Sequence, residues 1–123
     1  QRLSSKYKLG IISDTGFSPG IVLRKLLKEN GLLDYFSVLI FSDEFGRSKP
    51  HCDNFFYASK VLDVHAAELA HIGDSERTDV SGALNSSMKG ILYTKGMNLA
   101  PQKTTPSAVM KDWTEVDSII ERL

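Results

Sequence analysis

Four short apolar runs punctuate the chain: Lys8–Ser13 (K-L-G-I-I-S), Val38–Ser42 (V-L-I-F-S), Ala70–Gly73 (A-H-I-G) and Gly90–Thr94 (G-I-L-Y-T). Between them lie stretches whose apolar residues fall at helical spacing. A strand that is apolar almost throughout is buried on both faces, and such strands belong to parallel sheets covered by helices. Parallel neighbours need crossover connections, which the helical stretches supply. The expected fold class is α/β: a three-layer core, with a parallel sheet and helices on both faces.

The punctuation agrees. Ser18-Pro19 predicts a helix start with proline at the first helical position. Val22, Leu23, Leu26 and Leu27 form its apolar stripe, and Asn30-Gly31 its stop. Leu32 to Phe36 reads as a helical connector. A second helix is expected from about Asp53 to Leu62, with Phe55, Ala58 and Leu62 on one face. A third should run from about Val80 to near Met88, with Asp79 as its N-cap. The last carries a capping-box pattern, Thr114 with Asp117, and apolar positions Val116, Ile119, Ile120 and Leu123. Asp43 to Pro50, bending at Gly46, and Lys95 to Ser107 read as loops, and Ala108 to Trp113 as a short edge strand.

At 123 residues the expectation is a single domain. Fifteen basic and fifteen acidic residues cancel, with no block of either sign. That argues against nucleic acid or a membrane surface as partner. No apolar run approaches the ~20 residues of a membrane span, and no signal peptide opens the chain. The lone cysteine, Cys52, has no internal partner, so a cytoplasmic setting is expected. Neither Cys52 beside His51 nor the set His51, His65 and His71 has the spacing of a nucleophile or metal cluster. Trp113 reads as a packing anchor. Gln1 to Tyr7, polar and without an initiator Met, reads as a lead-in to a trimmed segment.

The chemistry concentrates at Ala70 to Asp79 (A-H-I-G-D-S-E-R-T-D). A buried strand stops at Gly73 and sets Asp74 and Asp79 around a polar turn. Ligands of open α/β sheets collect at the carboxyl ends of strands. Two hard carboxylate ligands there point to Mg2+, which takes one or two carboxylates and completes its shell with water and phosphate. Ser13-Asp14 and Lys49-Pro50 also fall at strand ends or helix starts. A hydroxyl with free N–H groups, an ammonium and a carboxylate-held metal are what a transferring phosphoryl group needs. Singly, each residue has a plain alternative as a turn, loop or capping residue.

In order and spacing these motifs resemble the haloacid dehalogenase-like (HAD) hydrolases, mainly magnesium-dependent phosphatases on a Rossmann-like core. L-G-I-I-S with Ser13 is similar to the family's second motif, F-G-R-S-K-P with Lys49 to its third, and G-D-S-E-R-T-D to its fourth. The resemblance extends over essentially the whole chain. It implies that Ser13 and Lys49 are catalytic and hold phosphate together with the Asp14 turn, and that Asp74 and Asp79 serve the metal. The implied substrate is a small phosphorylated metabolite.

Two departures stand out. Asp14 takes a place where many members have Asn, and a carboxylate there should weaken anion binding unless it turns away or is paired. The family's first motif, D-x-D, is absent, and with it the nucleophilic Asp; Asp14-Thr15-Gly16 lacks the second carboxylate. The chain therefore reads as the part of the core after the nucleophile strand. That strand, implied to lie between those of Ser13 and Asp74, is expected in a missing N-terminal segment of the same protein. Too few residues separate Ser13 from Lys49 for a cap domain. The segment alone should be inactive. A catalytically dead scaffold or regulatory domain is the alternative. A serine hydrolase built on Gly73-Asp74-Ser75 lacks the downstream D-x-x-H, and a phosphoacceptor receiver domain lacks its acidic pair.

Overall fold

The computed structural model describes all residues, Gln1–Leu123, and they form two compact units, Gln1–Asp63 and Val64–Leu123. In the first, β1 (Gly10–Ser13) pairs in parallel with β2 (Val38–Phe41), with Ile12 opposite Ile40 and Ser13 opposite Phe41. α1 (Gly20–Glu29) is the crossover. It begins one residue later than the Ser-Pro signal implies, because Pro19 keeps an extended conformation and stands at the N-cap. It ends at Asn30 and Gly31, the latter at φ +66°, where a residue without Cβ is favoured. A single helical turn, α2 (Ser42–Phe45), follows β2 directly and stops at Gly46. That turn lies where the sequence reads only as loop. α3 (Cys52–Leu62) packs on β1 and β2 and buries Phe55, Ala58 and Leu62, the face its periodicity predicts.

The α1 stripe divides. Leu23 and Leu27 are half-buried, whereas Ile21, Val22 and Leu26 are exposed, together with Phe17 just upstream. These side chains leave part of the apolar face of α1 exposed in this chain.

In the second unit, β3 (Ala70–Gly73), β4 (Lys89–Tyr93) and β5 (Ala108–Met110) form a parallel sheet in the order β3-β4-β5. Between β3 and β4 the chain makes a π-helical turn, Glu76–Val80, that runs into the short α4 (Ser81–Asn85). Asp79 lies inside that turn and is not the N-cap; Ser75 is, its hydroxyl accepting the Thr78 N–H at 3.2 Å. The last helix, α5 (Val116–Arg122), is preceded by a 3-10 turn at Trp113–Glu115. Its capping box is Asp112 with Glu115, two residues ahead of the Thr114–Asp117 pair the pattern suggests. Trp113 is half exposed and leans on Tyr93, with ring centroids 5.6 Å apart.

The core of this unit is Val80, Ala83, Met88, Ile91, Leu92, Met110, Val116 and Ile119. Full burial of a side chain such as Ile91 is worth about 1.5–3 kcal/mol, so these few contacts decide the sheet's stability. β1 has β2 as its sheet neighbour and β3 has β4, so each keeps an open edge. No helix is long and apolar enough to cross a membrane.

Candidate active site

In the first unit, Ser13 closes β1 half-buried, and the exposed Asp14 starts the turn. Asp14 Oδ1 accepts the backbone N–H of Lys49 at 3.0 Å. Ser13, Asp14 and Lys49, separated by more than thirty residues, are thereby brought together. The contact gives the Asp14 carboxylate a partner and a direction, the condition the sequence reading set for an Asp at this place. It needs only an acceptor oxygen, which Asp and Asn side chains both own. Lys49 is half-buried and precedes a cis peptide to Pro50.

The turn is braced from β2. The Thr15 N–H donates to Ser42 Oγ at 2.8 Å, and the Thr15 hydroxyl donates to Asp43 Oδ1 at 2.7 Å. Asp43 also accepts the Gly20 N–H with both oxygens at 3.1 Å, which places a negative charge at the start of α1. The Thr15 hydroxyl first, and the Gly20 N–H second, hold Asp43 below the usual carboxylate range.

In the second unit the two motif carboxylates have opposite surroundings. Asp79 is buried; its Oδ1 lies 2.9 Å from His71 Nε2 and its Oδ2 accepts the Ser75 N–H at 3.0 Å. Gly73 is required for this packing, because a Cβ there would overlap the Asp79 side chain. Asp74 is half exposed at the strand end, its Oδ2 2.5 Å from the Lys95 ammonium. That contact raises the Lys95 pKa. The site thus already accepts a cation at Asp74. Its donor set, a carboxylate at an open strand end, fits magnesium better than a transition metal. No group of three or more His, Cys, Asp or Glu side chains gathers as a metal cage. A cleft of about 500 Å³ opens beside Asp74, lined by Arg77, Tyr93, Lys95, Leu99 and Lys103 among others.

A family model of haloacid dehalogenase-like hydrolases matches residues 1–93. The chain belongs to the HAD hydrolases. This HAD chain is 35% identical over 89 residues to 5-amino-6-(5-phospho-D-ribitylamino)uracil phosphatase of Escherichia coli, covering 72% of the chain and 34% of that protein. It is similar to a HAD phosphatase of Thermococcus onnurineus (TM-score 0.80, 31% identity), covering 97% of the chain and 52% of that structure. A magnesium-bound HAD hydrolase of Bacillus subtilis shares the fold (TM-score 0.84, 21% identity), with 97% of the chain and 51% of that structure covered. The chain therefore spans a third to a half of these relatives.

Thr15, Ser42, Asp43, His71, Glu76 and Lys95 escape sequence reasoning. His71 alone carries a signal: it shares a strand face with Gly73, two residues on, where a small residue leaves room for Asp79.

Proposed function

We propose that the complete protein is a magnesium-dependent phosphohydrolase of small phosphorylated metabolites in the cytoplasm, and that this chain is the part of its core after the nucleophile strand, without a cap. The observation that carries the reading is the Asp14–Lys49 bond, which joins the strand end of Ser13 to the start of the lysine helix. The Ser13 hydroxyl donates to a phosphoryl oxygen and Lys49 neutralises charge on the phosphate. Asp14 acts by holding Lys49, since a carboxylate offers a phosphate no donor. Asp74 holds the metal, which supplies charge neutralisation. Asp79, with both oxygens engaged, supports that shell by shaping the turn.

The nucleophile is a carboxylate of the upstream segment. It attacks phosphorus and the ester P–O bond breaks as the alcohol leaves with a proton from a second carboxyl group of that segment, which then takes a proton from the water that cleaves the aspartyl-phosphate. The open edges of β1 and β3 and the uncovered face of α1 support a segment that packs on this chain.

The test is hydrolysis of p-nitrophenyl phosphate, with and without magnesium, by this chain and by the complete protein. The expected result is metal-dependent turnover by the complete protein alone. Inactivity of both would favour a scaffold role. In the complete protein, Asp74→Asn should weaken magnesium binding and lower turnover by roughly a hundredfold at saturating metal. Unchanged turnover would remove Asp74 from the site.

A further inference from the structure

Glu76 stands in the acidic motif between Asp74 and Asp79 and bonds to neither. Its carboxylate instead grips the loop after β4. Oε2 accepts the Gln102 N–H at 3.0 Å, and Oε1 accepts the Lys103 N–H at 3.0 Å, the Thr104 N–H at 2.9 Å and the Thr104 hydroxyl at 2.7 Å. Three successive backbone donors make an anion-binding concavity, here filled by the protein's own side chain. The Thr104 hydroxyl first, then the Gln102 and Lys103 N–H groups, draw the Glu76 pKa down to about 2.

The loop's other end is tied at Lys95, which reaches Asp74 from a left-handed backbone position (φ +55°), and at Gly96, whose N–H donates to the Lys111 carbonyl at 2.8 Å. Between the ties, Met97 and Leu99 stand half exposed and line the cleft beside Asp74. The two carboxylate ties differ in one respect. A cation arriving on Asp74 shares its carboxylate with the Lys95 ammonium. The Glu76 clasp shares no atom with that site and holds the loop in either case.

We propose that Glu76 is a positioning residue for the leaving-group side of the active site. It fixes the 97–104 loop as the wall of the cleft, and the cleft receives the part of the phosphate ester beyond the scissile bond. This rests on the phosphohydrolase reading above. The lining, Met97 and Leu99 with the cations Arg77, Lys95 and Lys103, suits a carbon framework that bears polar or anionic groups.

The test uses the complete protein, its Glu76→Gln variant and the milder Thr104→Val. Two phosphate compounds are compared: the acyl phosphate acetyl phosphate, whose leaving group is too small to reach the wall, and the aryl ester p-nitrophenyl phosphate. Glu76→Gln should raise KM for the aryl ester roughly threefold to tenfold, as expected for the loss of a charged hydrogen-bond acceptor. Thr104→Val should raise it less. kcat for the aryl ester, both constants for acetyl phosphate and magnesium affinity should stay unchanged, while amide exchange at Gln102, Lys103 and Thr104 speeds up. An unchanged aryl-ester KM despite faster exchange would overturn the proposal. So would a parallel loss for both compounds, the mark of a merely structural role. Failure of the underlying reading is seen separately, as a wild-type protein that hydrolyses neither compound; the proposal then falls with it. If Glu76→Gln does not fold, Thr104→Val decides on the same criteria.

Discussion

The turn after β1 and the turn after β3 do similar work by different means. Each follows an apolar strand, carries a carboxylate next to the last strand residue, and leads toward a helix. The first is braced from a distance: Ser42 and Asp43, more than twenty residues on, hold Thr15 and the start of α1, and Asp14 reaches forward to Lys49. The second is braced mostly from within: Asp79 returns to Ser75 and His71, four and eight residues back, and Ser75 caps the π turn. A locally braced turn has a short signature, G-D-x-x-x-x-D, that keeps its spacing. A turn braced from afar leaves only scattered polar residues along the chain. In the second turn the duties are also divided between carboxylates: Asp79 builds, Asp74 meets the Lys95 ammonium and Glu76 reaches out to the next loop.

The largest expected effect tests that division. Asp79→Ala in the complete protein removes the buried acceptor of the Ser75 N–H and a hydrogen-bond partner of His71, and should cost about 1–3 kcal/mol in chemical denaturation. Asp74→Asn, at an exposed ion pair, should cost less than about 1 kcal/mol while removing most activity. Equal costs would erase the distinction between the building and the cation-binding carboxylate. Next comes the distant brace. Thr15→Val removes a hydroxyl that Asp43 accepts, and a loss of about 1 kcal/mol is expected. A neutral result would mean that Ser42 and the Gly20 N–H hold the turn without it.

The smallest effect is one of pH. Glu76 has its folded pKa lowered to about 2 from an ordinary value of 4.5. Its contribution is therefore complete above 4.5 and lost as pH falls through about 2. The amide resonance of Thr104 in the folded protein should hold its position from pH 8 down to about 3 and shift as pH falls through about 2, a movement that Glu76→Gln should lack. A wild-type shift between pH 5 and 7 would place the clasp elsewhere.

The sequence alone determined the strands, the α/β class and the family, and it singled out Ser13, Lys49 and Asp74 as candidate site residues. Each of these rests on local patterning: apolar runs of strand length, a proline beside a helix start, a glycine before a carboxylate. It misplaced what depends on bonds not yet visible. Asp79 reads as an N-cap by type and place, yet Ser75 takes that role because the chain winds one residue wider there and draws Asp79 inward onto His71. The capping box of the last helix shifts two residues for a similar reason: Asp112 and Glu115 satisfy the orphan N–H groups before Thr114 can. The α1 stripe, apolar in sequence, is half uncovered because periodicity reports which residues seek burial and not whether a partner is present. Only the tertiary structure could decide the long-range partners, Asp14 with Lys49, Asp43 with Gly20 and Glu76 with Gln102 to Thr104. A hydrogen bond between residues more than twenty apart leaves no periodic trace in a sequence, and the fold alone brings its donor and acceptor to 2.9–3.1 Å.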